Sequence, residues 1–145
     1  MMAINARAPF LLLQSARPHL KESRGSIVNI GSINGHRTVA DLLPYGMSKA
    51  ALMNLTRTLA EPLAKDGIRI NGLNLGWVLT PNERKLLMET AGWAEDWPDT
   101  MGEKMPFGRM MKPEEVGAMV CYLLSPEACM ISGQMWDFDQ RAIVR

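Results

Sequence analysis

Tyr45 and Lys49 stand one helical turn apart, and Ser32 precedes the tyrosine by thirteen residues. Side chains at i and i+4 share one face of a helix. A phenol beside a cation gives up its proton more readily, because the phenolate is then paired with positive charge. Such a group serves as an acid or base at neutral pH. Ser32 follows the apolar stretch Ser26-Ile27-Val28-Asn29-Ile30, so it is expected where a strand ends. A hydroxyl there can bind a carbonyl oxygen while the phenol protonates it. The chemistry this suggests is carbonyl/alcohol redox, with a cofactor supplying the hydride that no side chain can give.

The elements that must position these groups are legible as alternating helices and strands. Ile4, Ala8, Leu11, Leu12 and Ser15 recur at helical spacing, which predicts a helix from Met2 to about Leu20, with Pro18 in its last turns or at a kink. Ser26 to Ile30 predicts a buried strand, and 31–43 a loop. Pro44 suits a helix start, and the apolar positions from Ala50 to Leu63 carry that helix to Asp66-Gly67, with Pro62 straining its last turn. A second strand is expected over Ile68 to Leu75, a helix over Asn82 to Thr90, and a mixed stretch over 92–106. Lys112-Pro113-Glu114-Glu115 opens a helix that stops at Ser125-Pro126, since proline and acids suit a first turn. Met130 to Phe138 is expected as a last short strand. The alternation predicts an α/β domain with a parallel sheet.

Length and composition set bounds. The 145 residues make one domain, 47% apolar and 21% charged, as in soluble globular proteins. A net charge of +1 argues for neither nucleic acid nor a membrane surface, and no apolar run is of spanning length. Cys121 and Cys129 lack the neighbours of a zinc site and form no disulfide framework, which points to a reducing cytoplasm. The 12 methionines are read as packing residues.

These motifs resemble the C-terminal part of the short-chain dehydrogenase/reductase family over nearly the whole chain. Ser32, Tyr45 and Lys49 match its serine and tyrosine-x-x-x-lysine, and Asn5 its helix asparagine. Arg69-Ile70-Asn71-Gly72-Leu73-Asn74 is similar to the strand after the catalytic helix, and Leu75-Gly76-Trp77-Val78-Leu79-Thr80 to the loop over the nicotinamide. Pro113-Glu114-Glu115-Val116 and Ser132-Gly133-Gln134 are similar to the late helix and the final-strand entry. The resemblance implies a partial Rossmann-like doubly wound parallel sheet, about three strands with flanking helices, across 1–145. It implies NAD or NADP as cofactor, held by Tyr45, Lys49, Gly76, Val78 and Thr80. Asn5, Ser32, Tyr45 and Lys49 would be catalytic. The substrate would be a small alcohol or ketone, and the helices carrying Asn5 and Tyr45 would join a homo-oligomer.

Departures from the family pattern are equally specific. The glycine-rich strand-turn-helix that holds a pyrophosphate has no counterpart here, so roughly a hundred residues of a usual domain are expected upstream. Met1 and Met2 fall inside a predicted helix, which also suits a misplaced gene start. Leu75 replaces a usual proline, and the end, Met135-Trp136-Asp137-Phe138-Asp139-Gln140, departs from the usual Asp-Gly-Gly. A second reading is therefore a non-catalytic interaction module that offers an open apolar strand edge. Three bland assignments accompany these: His36 as a surface loop histidine, Arg84 and Lys85 as a solvated face, and Trp77, Trp93 and Trp97 as either a substrate lid or plain packing.

Overall fold

The apolar periodicity at the chain's start produces a helix with one irregularity. In the computed structural model, which describes residues 1–140, Ala3–Arg7 wind as a π-helical turn that runs directly into helix α1, Ala8–Ser23. Pro18 lies inside α1 without ending it. The stop comes at Arg24, whose φ of 50° is left-handed, and Gly25 closes its N–H onto the Leu20 carbonyl at 2.8 Å.

Strand β1, Ser26–Ser32, extends two residues past the predicted apolar run, so Ser32 is its last residue. The stretch predicted as loop holds two short 3-10 turns, Ile33–Gly35 and Ala40–Leu42. Helix α2, Leu43–Ala64, then runs with Pro44 in its first turn and Pro62 in its last. Gly46 lets the preceding turn press against this helix. A Cβ there would lie 2.8 Å from the Asn34 carbonyl oxygen and as close to Thr38.

Strand β2, Arg69–Leu75, is followed by helices α3, Pro81–Ala91, and α4, Trp97–Gly102. The stretch read as mixed thus holds a short helix. Helix α5, Pro113–Leu124, starts and stops where its capping residues predict. Strand β3, Met135–Phe138, is shorter than expected. The Asn71 side chain explains this. It donates to the Ile131 carbonyl at 2.8 Å and accepts the Gln134 N–H at 3.1 Å, taking bonds that a longer strand would make.

The strands form a parallel sheet in the order β1-β2-β3, with Ser32 paired to Leu75 and Leu75 to Phe138. Parallel neighbours need crossovers, and helices supply both. Successive side chains alternate between faces. Ile27 and Ile70 pack with Leu13 and Leu63 under α1 and α2. Ser26 and Arg69 point the other way and bond the Leu123 carbonyl of α5. The sheet is thus covered on both faces, which is the doubly wound arrangement expected.

A second core lies outside the sheet. Trp97, Met105 and Met110 are buried there, with Trp77, Trp93, Leu79 and Leu87 around them. Trp77 stacks on Trp97 with centroids 5.6 Å apart, and Trp93 meets both rings edge-on at 5.9 and 5.4 Å. These three indoles are packing residues. Several methionines also pack as expected, Met53, Met105, Met110 and Met111 being buried.

Candidate active site at the carboxyl edge of the sheet

The predicted residues collect where β1 and β2 end and α2 begins. Ser32, 6% exposed, closes β1. Its Oγ accepts the Asn34 N–H at 3.2 Å and so caps the following turn. That leaves the hydroxyl proton of Ser32 free of this bond. Tyr45 and Lys49 occupy consecutive turns of α2, both half-buried, with the ammonium 5.7 Å from the centre of the Tyr45 ring. Burial lowers the Lys49 pKa from its ordinary value. The ammonium itself donates to the Ile30 carbonyl of β1 at 2.8 Å. The lysine is therefore engaged by the sheet as well as lying beside the phenol ring.

Asn5 lies within the π-helical turn, a distortion often found at functional positions. Its Nδ2 donates to the Ser48 Oγ at 3.0 Å, and that hydroxyl donates to the Tyr45 carbonyl at 2.7 Å. Ser48 is fully buried. Nothing in the local sequence points to this relay between the two helices. A serine beside the lysine was the available signal, but its second partner lies 43 residues away.

Gly76, Val78 and Thr80 follow β2. Val78 forms an isolated parallel bridge with Met111, and Leu79 N–H reaches the Met111 carbonyl at 2.8 Å. Thr80 caps α3 by accepting the Glu83 N–H at 3.0 Å. A Cβ on Gly76 would run into the Asp139 side chain. The glycine here thus accommodates a carboxylate from the chain's own end.

His36 corrects the surface-loop expectation. It is half-buried, with Nε2 2.6 Å from Asp137 Oδ1 and 3.3 Å from Asn74 Nδ2, and Asn74 also donates to Asp137 at 2.9 Å. The histidine ties the turn after Ser32 to β2 and β3. Arg84 and Lys85 are exposed, as expected, with ion-pair contacts to Glu95 and Glu89. Among the described residues no group of His, Cys, Asp and Glu could hold a metal ion, and no helix is long and apolar enough to cross a membrane.

A tyrosine-lysine pair on a helix after a parallel strand that ends in serine defines a class, and comparison with known proteins agrees with it. Residues 1–140 match the family model described as enoyl-(acyl carrier protein) reductase. The 3-oxoacyl-(acyl-carrier-protein) reductase of Thermotoga maritima is 32% identical over 142 residues, covering 97% of this chain and 55% of that protein. The ligand-free aldohexose dehydrogenase of Thermoplasma acidophilum superposes with a TM-score of 0.87 at 28% identity, over 100% of this chain and 60% of that one. An actinorhodin polyketide ketoreductase variant solved with NADPH gives 0.81 at 30% identity, over 94% and 55% of the two chains. The chain belongs to the short-chain dehydrogenase/reductase family, and the relatives it matches carry the names of dehydrogenases and reductases. It spans about half the length of the curated relatives it matches.

Proposed function

We propose that this chain is the catalytic half of an NAD(P)-dependent oxidoreductase that interconverts a secondary alcohol and a ketone. The observation that carries the reading is the Tyr45–Lys49 pair, ring to ammonium 5.7 Å, beside a strand that ends in Ser32. Tyr45 gives the substrate oxygen its proton in reduction and takes it back in oxidation. The Ser32 hydroxyl, held by the Asn34 N–H, donates to the same oxygen and steadies its developing charge. Asn5 is held beside this machinery through Ser48.

The donor set fits the nicotinamide-ribose end of such a cofactor. A half-buried ammonium already bonded to one carbonyl can exchange that acceptor for ribose hydroxyls, and 76–80 run along the same sheet edge. When bound, the cofactor supplies or accepts the hydride. The pyrophosphate end fits less well. Among the described residues no glycine-rich turn runs straight into a helix N-terminus, the usual cradle for that group. NAD and NADP both remain compatible with these contacts.

The test is saturation-transfer NMR on the 145-residue protein with NADPH and NADH. Weak binding is expected, with transfer to the nicotinamide-ribose protons that K49M abolishes. Transfer confined to the adenine protons, or none, would sink the reading. Because most of the usual cofactor cradle has no counterpart among the described residues, this chain alone is expected to turn over little, and micromolar affinity would overturn that expectation. The interaction-module reading is favoured by one feature, the 270 Å³ apolar groove between α1 and β1 lined by Pro9, Leu12, Leu13, Ala16, Leu20 and Ile27.

A further inference from the structure

Gly31, Asn74 and Asp137 are register partners across β1, β2 and β3, so they form one row on the sheet. Side chains alternate along a strand, which puts this row on the face of Ile27 and Ile70, under α2. His36 meets the row where the turn after Ser32 ends. The acid settles which nitrogens donate, because an ionised carboxylate only accepts. Asn74 Nδ2 at 2.9 Å and His36 Nε2 at 2.6 Å therefore both donate to Asp137 Oδ1. Their own approach, 3.3 Å, is a meeting of two donors. The imidazole thus carries a proton on Nε2, whatever the state of Nδ1. The same orientation leaves Asn74 Oδ1 buried without a partner among the described residues, in the space that a Cβ on Gly31 would need. A buried orphan acceptor costs stability, so the arrangement calls for a use beyond holding the fold.

That use lies at Ser32. Pairing with Leu75 fixes the Ser32 backbone but not the direction of its hydroxyl. The direction follows from the Asn34 N–H, which donates to Oγ at 3.2 Å from within the turn Ile33–Gly35. His36 closes this turn with its own N–H on the Ile33 carbonyl at 3.0 Å. The turn also presses on α2: a Cβ on Gly35 would lie 3.1 Å from the Lys49 carbonyl carbon and 3.2 Å from the Ala50 nitrogen. It is therefore held between the helix of Tyr45 and Lys49 and a side-chain bond to β3. We propose that His36 is a positioning residue for Ser32. Its Nε2–H on Asp137 clamps the turn, the clamped turn holds the Asn34 N–H on Oγ, and the serine proton is left for the substrate oxygen.

The last step rests on the oxidoreductase reading; the clamp does not, and spectra of the 145-residue protein without cofactor test it. Proton–nitrogen correlation spectra of the His36 ring are expected to show the proton on Nε2, and the Asn34 amide to be protected from exchange. H36A should lower that protection about tenfold at fixed pH while amides of α5 stay as they were. H36Q can bring a side-chain N–H to the place of Nε2 and should restore most of it. H36N is too short and should not. Asp137 has other contacts, so its part is read from a cycle: in a D137A background, H36A should add nothing at Asn34. Should H36A fail to fold, H36N is read in its place. A ring protonated on Nδ1 alone, or an unprotected Asn34 amide in wild type, would overturn the clamp. So would undiminished protection in H36A, no rescue by H36Q, or an H36A effect that persists beside D137A. Absence of saturation transfer to NADPH with the clamp present would sink the oxidoreductase reading alone.

Discussion

At the scale of single residues, Ser48 bears more on the site than its small size suggests. It accepts from Asn5 and donates to the Tyr45 carbonyl, with no exposure to water. Removing the hydroxyl leaves the Asn5 amide without this partner and strips one bond from the helix that carries Tyr45. S48A should cost about 1–2 kcal/mol of stability, read as a lower urea midpoint with unchanged slope, while S48T retains most of it. No loss in S48A would mean that water replaces the hydroxyl. The tyrosine-lysine pair could be read directly from the sequence because helical spacing alone makes i and i+4 neighbours. Ser48 could not, since half of its bonding comes from a helix 43 residues away. His36 was misjudged for the same reason. Its partners Asn74 and Asp137 sit on β2 and β3, and only the sheet register brings them to the turn after Ser32. Lys49 shows the converse. Its helix face was legible, but its bond to Ile30 depends on which carbonyls the sheet leaves free.

At the scale of elements, the boundaries that came out well are those set by local chemistry. Helix α5 starts at Pro113 and ends before Ser125-Pro126 because proline, acids and caps act over one turn. β3 came out short because Asn71, on the neighbouring strand, holds the backbone ahead of it. The start of α5 also carries a pH dependence. Glu115 is pulled from an ordinary 4.5 down to about 2, first by its hydrogen bonds with Arg109 and next by the Lys112 N–H. A carboxyl depressed in the folded state adds stability that is fully present above its unfolded value. That stability is lost as pH falls from about 4.5 through about 2. Exposure of the pair keeps the contribution small. The protection factor of the Lys112 amide, taken against the intrinsic exchange rate at each pH, should therefore fall over that window in wild type. E115Q should show a low protection factor there at neutral pH and little further change in it on acidification. A wild-type profile that is flat to pH 2 would show that Arg109 and Lys112 contribute nothing to this cap.

At the scale of the whole molecule, the chain has two separate hydrophobic clusters, and they should not melt together. The first, around Leu13, Leu63, Ile68 and Ile70, lies between the sheet and two long helices. The second, around Trp97, Met105 and Met110, is built from the connection between β2 and α5. It is joined to itself by the Val78–Met111 bridge, but it lacks a sheet beneath it. Among the described residues it also buries the Trp97 Nε1–H without a partner, and such a group costs about 1–3 kcal/mol. The smaller cluster is therefore the weaker one. Three of the chain's 4 tryptophans report on it; the fourth, Trp136, is 41% exposed on β3. In a W136F background, near-ultraviolet circular dichroism from the stacked indoles follows the second cluster alone. Far-ultraviolet dichroism follows the helical residues, most of which lie in α1 and α2 of the first. The indole signal should be lost at lower urea than the helical signal, giving two midpoints where a single cooperative unit gives one. If the curves coincide, the connection between β2 and α5 is held by the sheet as firmly as the strands are. The stretch beside the candidate site would then be a fixed wall, opening only when the whole domain unfolds.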